Sequence, residues 1–138
     1  MTTQLETFFA AYGRGLSGQD PEVVVPFYGY PCLMLTDTFA GAVTSADELR
    51  LALSQGDEFY QRFGVTGVHH EIQDVEPVTG TISRVRMRWH YDKGAEELFT
   101  SDYEYLLRAE ADQPHIYVVV SKDEEVKIAE MAQTASAR

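Results

Sequence analysis

The sequence predicts a small α+β domain, and three observations lead there. Between Thr81 and Val120 the apolar residues alternate strictly with polar ones, the period of strands buried on one side only. Ahead of that stretch apolar residues recur at i, i+3, i+4 and i+7, the period of amphipathic helices. Turn residues separate the two regimes, so each pattern belongs to its own element.

The alternation defines two chemically distinct faces. In the first run Val85, Met87, Trp89 and Tyr91 fall on one face and Arg84, Arg86, Arg88 and His90 on the other. After the Asp92-Lys93-Gly94 turn signal, Tyr103, Tyr105 and Leu107 oppose Asp102, Glu104 and Arg108. A third run spans Ile116 to Val120. This reads as an antiparallel meander whose wet face pairs arginines with carboxylates and whose dry face is rich in tyrosine.

From the N-terminus, Thr3 and Glu6 form a capping-box pattern, and Leu5, Phe8, Phe9 and Tyr12 give an amphipathic first helix that Gly13 and Gly15 are expected to end. Asp20-Pro21 marks a second, short helix, with Asp at the cap and Pro at the first helical position. It cannot run past Pro31. Residues 32–36 read as a buried strand, with Ala40 to Val43 as its hairpin partner. Ser45 and Glu48 repeat the capping-box pattern for a third helix bearing Leu49, Ala52, Leu53, Phe59 and Phe63, interrupted at Gly56 and ended at Gly64. Val68 to Glu76 is a further strand, and Lys122 to Met131 a terminal helix. A single domain over 1–132 with a loose tail over 133–138 is expected.

Acidic residues outnumber basic ones 22 to 11, for a net charge of −11, which argues against a nucleic-acid surface. Arg84, Arg86 and Arg88 are the only basic cluster, and Asp102 and Glu104 neutralise it across the strands. The lone Cys32 cannot form an internal disulfide, there is no signal-like or membrane-length apolar run, and a cytoplasmic protein is expected. His69 and His70 are adjacent and so face opposite sides of a strand, which leaves no metal site in view. Gly13-Arg14-Gly15 follows a helix and lacks a later glycine, so it is not a phosphate loop.

The order helix, short helix, hairpin, helix, meander resembles the NTF2-like superfamily, which includes SnoaL-like polyketide cyclases and ketosteroid isomerases. The stretches Pro26 to Asp37 and Tyr103 to Arg108 are similar to a group of uncharacterised bacterial proteins within it. The resemblance implies an α+β, cystatin-like cone: three N-terminal helices on a curved, mostly antiparallel sheet, with space for an apolar ligand between the first helix and the sheet. It also implies a homodimer and no cofactor. By the same resemblance Tyr12 falls where ketosteroid isomerases place a first-helix oxyanion donor, and Asp37 falls within one residue of their general base. The second oxyanion acid has no counterpart, because Asp102 and Glu104 point outward.

The expected ligand-binding residues are therefore Met87, Trp89, Tyr91, Tyr103 and Tyr105, with Tyr12 and Asp37 as the catalytic pair. Each also has a plainer reading. Tyr12 and Trp89 suit core packing, Asp37 suits a turn, and Cys32 suits a buried, inert thiol. Three functions stay open: a pocket for a small apolar molecule, an isomerase, cyclase or dehydratase using acid–base chemistry, and a dimeric interaction module with a filled core.

Overall fold

The computed structural model describes residues 2–136. The elements are α1 (Thr2–Ser17), α2 (Pro21–Val24), a 3-10 turn (Val25–Phe27), β1 (Tyr28–Leu35), β2 (Ala40–Val43), α3 (Ala46–Phe63), β3 (Gly67–Pro77), β4 (Ile82–Lys93), β5 (Glu96–Glu110), β6 (Gln113–Ser121) and α4 (Glu124–Ser136). The strands form one six-stranded sheet in the order β2-β1-β6-β5-β4-β3. Only the β1–β6 pair is parallel. Register shifts at Ile72/Asp74, Tyr91/Asp92 and Leu106/Leu107 mark bulges, which bend strands and strengthen their twist.

The period of two survives in space. Val85, Met87, Trp89 and Tyr91 are buried, as are Tyr105 and Leu107, and they pack against Leu5, Phe9 and Tyr12 of α1. On the opposite face Arg84 donates to both carboxylate oxygens of Glu104 at 2.9 Å, and Arg88 donates to Asp102 at 2.8 Å. Arg86 turns the other way, to Asp74 on β3. Two cations, Arg84 and Lys122, hold the Glu104 carboxyl down at about 2.

Helix starts follow side-chain chemistry. Asp20 caps α2 by accepting from the Glu22 N–H at 3.1 Å. Ser45 caps α3 by accepting from the Glu48 N–H, and Glu48 reaches back to the Thr44 N–H at 2.7 Å. Gly64 ends α3 at φ 72°, a left-handed conformation that costs a glycine nothing.

Several boundaries differ from expectation. Helix α1 runs through Gly13 and Gly15 to Ser17, because both glycines serve packing: a Cβ at Gly15 would stand 2.9 Å from Val23 and Val24, and one at Gly13 would stand 3.3 Å from the Trp89 ring. Thr3 lies inside α1 and not at its cap. Gly56 does not interrupt α3, and β1 begins at Tyr28, well before Cys32. The three helices ahead of the meander are unequal. The second is one turn continued by the 3-10 segment, and the third follows the hairpin. A fourth, α4, continues to Ser136 through most of the expected tail, whose last two residues lie outside those described. No helix among the described residues is long and apolar enough to cross a membrane.

Candidate functional site

Leu5 and Phe9 fill the part of the cone beneath the first half of α1, where Phe9 stands 5.3 Å from the Tyr105 ring. Past Tyr12 the filling stops. A cavity of about 480 Å3 opens between the sheet, the end of α1, and helices α3 and α4. Its floor is Trp89, Tyr91, Tyr103, Tyr105 and Val119 from the sheet; Leu49, Leu53, Phe59 and Tyr60 of α3 form one wall, and Glu124 and Ile128 of α4 stand at its edge. Apolar walls of this size, with a few inward polar groups, are what small-molecule sites present.

The polar tips of Tyr12, Tyr28, Trp89, Tyr91 and Tyr105 each have a hydrogen-bond partner. The Tyr12 and Tyr28 hydroxyls stand 2.6 Å apart, Trp89 Nε1 donates to the Tyr105 hydroxyl at 2.7 Å, and Ser101 donates to the Tyr91 hydroxyl at 3.2 Å. Burial pushes the phenols of Tyr12, Tyr28, Tyr91 and Tyr105 up, so all four stay neutral and able to donate. Among the described residues the cavity's charged lining is Asp57, Glu124 and Glu125, with no Lys, Arg or His. Glu125 accepts from Thr38, and Thr36 and Thr38 together hold its carboxyl low. Glu124 has no such partner among the described residues: burial first, and then Glu125, raise its carboxyl to about 7. Its closeness to Tyr60 and Tyr91 in turn helps to push both phenols up.

A family model described as NTF2-like protein (DUF6841) matches residues 1–124. The chain belongs to this NTF2-like family. Among solved structures it resembles an NTF-2 like protein of unknown function from Shewanella oneidensis MR-1, at TM-score 0.67 and 14% identity over 88% of this chain and 98% of that one. A ketosteroid isomerase-like protein from Erwinia carotovora atroseptica gives TM-score 0.62 and 18% identity, over 87% of this chain and 93% of that one. An NTF2-like protein with a cystatin-like fold from Novosphingobium aromaticivorans gives 0.65 and 12%, over 88% and 80%. At such identities the likeness is one of fold. No curated protein matches the sequence.

In this NTF2-like chain the cavity gathers Tyr12, Trp89, Tyr91, Tyr103 and Tyr105. Met87 is wholly buried within the core and is not part of the lining. Asp37 is exposed in the β1–β2 turn, and the cavity lining there passes from Thr36 to Phe39 without it. Cys32 is fully buried, its thiol pushed up to about 11. His70 pairs with Glu6 beneath α1, while His69 stacks on His90 and pairs with Asp92 on the outer face.

Sequence reading missed Asp57, Tyr60 and Glu124. Each carried a signal. Leu53, Asp57 and Tyr60 follow i, i+4, i+7, and Glu124 precedes Ile128 by four, so both acids share a helix face with apolar residues. An acid on a core-facing stripe has to meet something.

Proposed function

We propose that this protein binds a small, apolar, ring-sized molecule in the cavity bounded by the sheet, α1, α3 and α4. The supporting observation is the cavity itself: about 480 Å3 left open in the middle of an otherwise close-packed cone, walled by Trp89 and four tyrosines of α1 and the meander. A filled cone would favour an interaction module instead. Trp89 is the only tryptophan, so its fluorescence reports occupancy directly. A thermal-shift screen of apolar ring compounds, followed by titration of each hit, tests the reading. Trp89→Ala should fold and lose the hit; a hit that binds this variant unchanged defeats the assignment.

A second reading, acid–base catalysis in the same cavity, is favoured by Glu124. A carboxyl raised to about 7 is divided between acid and base near neutral pH, the condition for moving protons both ways. The Tyr12–Tyr28 pair would then supply hydrogen bonds to a substrate oxygen, and Glu124 would take the part expected of Asp37. The ketosteroid isomerase-like neighbour makes such chemistry the first to try. If turnover of any ring ketone is found, Glu124→Gln should remove it and Asp37→Asn should leave it intact; the reverse result returns the role to Asp37.

The protein is also proposed to pair with a second copy through the outer sheet face. Leu33 on β1, Val118 on β6 and Leu106 on β5 are in register across three strands, and Leu33 is 46% exposed. Apolar residues in a row on a solvent face are better explained by a partner than by water.

A further inference from the structure

The cavity edge near Glu124 differs from the rest of the lining. Tyr60 and Tyr91 are close enough to Glu124 to feel its charge, and with Phe59 they present planes far from parallel: Phe59 and Tyr91 meet at 85°, Tyr60 and Tyr91 at 81°, and Phe59 and Tyr60 at 64°, with centroids 6.1–6.4 Å apart. Three planes so arranged make a corner, and a group standing in it meets ring surface on more than one side. Aromatic faces attract cations. Every charged residue of the described lining is an acid, and the chain as a whole carries −11, so the field at the mouth favours positive ligands over negative ones.

Resting on the pocket reading above, we propose that the ligand is an organic ammonium ion, its charged head in the Phe59–Tyr60–Tyr91 corner beside the Glu124 carboxylate and its apolar body against Trp89 and Tyr105. The two halves of the lining match the two halves of such a molecule. Leu49, Leu53, Val68 and Trp89 bring no charge to the lining. Phe59, Tyr60 and Tyr91 bring aromatic walls, and the acids of the described lining meet no cation within it. Lys122 and Lys127, the nearest lysines in sequence, are held elsewhere, on Glu104 and on the Thr100 carbonyl.

The groups facing Glu124 set a pH dependence. Asp57 and Tyr60 come from α3, Tyr91 from β4, and Glu125 from α4 itself. Of these the phenols stay neutral over the working range and Glu125 stays ionised; burial raises the Asp57 carboxyl in the same direction as that of Glu124, and Glu124 is the acid raised to about 7. An ammonium ion needs it ionised, and its affinity should therefore rise as the pH passes about 7.

Calorimetric titration of the whole protein with three probes sharing one ring system, naphthylethylamine, naphthylethanol and naphthylacetate, decides the matter. At about pH 8 the amine should bind about ten-fold tighter than the alcohol, and the acid weakest. At about pH 5, where a carboxyl raised to about 7 is neutral, the margin between amine and alcohol should narrow to the part that the aromatic corner supplies. Glu124→Gln should bring the margin at about pH 8 down to its value at about pH 5 and remove its pH dependence. Tyr60→Leu should narrow the margin with Glu124 intact. If the alcohol or the acid binds as well as the amine in the parent protein, the ammonium assignment is overturned and the pocket reading stands; if none of the three binds, both are overturned.

Discussion

Glu124 is a single carboxyl whose energetics run against the usual direction. The fold raises it to about 7 from an ordinary 4.5, so the folded chain holds that proton more tightly than the unfolded chain does. Its contribution to stability is fully present below the unfolded value and is lost as the pH rises through about 7. Glu124→Gln should therefore stabilise the protein by about 1–3 kcal/mol at alkaline pH, by progressively less as the pH falls from about 7, and by nothing below 4.5, where Glu124 is neutral in the folded and unfolded chains alike. Thermal unfolding across that range checks this; a constant offset at every pH would mean that burial of the charge is not the cause. Trp89 behaves in the ordinary direction. It is 2% exposed and tied to the Tyr105 hydroxyl, so Trp89→Ala should cost about 3–5 kcal/mol in denaturant unfolding, beyond its effect on binding.

At the scale of elements, α1 and α3 each contain glycine in mid-helix and use it oppositely. Gly15 lets α1 approach α2, since an added Cβ would meet Val23 and Val24 at 2.9 Å. Gly15→Ala should destabilise by about 1–3 kcal/mol despite the better helix former, because Val24, unlike the exposed Val23, is buried and cannot swing away from the added methyl. Gly56 has nothing within 4 Å of the position a Cβ would take. Gly56→Ala should stabilise α3 by about 0.5–1 kcal/mol, the helix-propensity difference alone. Urea unfolding of the two variants side by side tests both signs at once. Helix α4 borders the cavity from the other end of the chain. Ile128 and Glu124 stand over the opening, and Glu125 and Lys127 tie the helix to Thr38 and to the Thr100 carbonyl.

For the whole molecule, the sheet divides two environments. Its concave side holds the core and the cavity, and its outer side is a lattice of Arg–carboxylate pairs broken by the apolar row Leu33, Val118 and Leu106. Sedimentation at micromolar concentration should show a dimer for the parent chain and a monomer for Val118→Asp, with the cavity's ligand affinity unaltered. A parent chain that stays monomeric at every concentration removes the dimer proposal without touching the cavity.

The faces of the meander, the caps at Asp20 and Ser45, the stop at Gly64 and the pairing of Arg84 and Arg88 with Glu104 and Asp102 were all determined by the sequence alone, because each depends on residues within a turn of helix or on neighbouring strands joined by a short turn. The tertiary structure decided which groups meet in the cavity. Gly13 and Gly15 look like breaks until Trp89 and Val23 are placed beside them. Asp37 and Glu124 are both exposed-looking acids next to a strand end, yet only the second reaches the aromatic walls. Side-chain order along a chain encodes periodicity, whereas the distance between Tyr60, Tyr91 and Glu124 exists only once three separate elements have packed against one another.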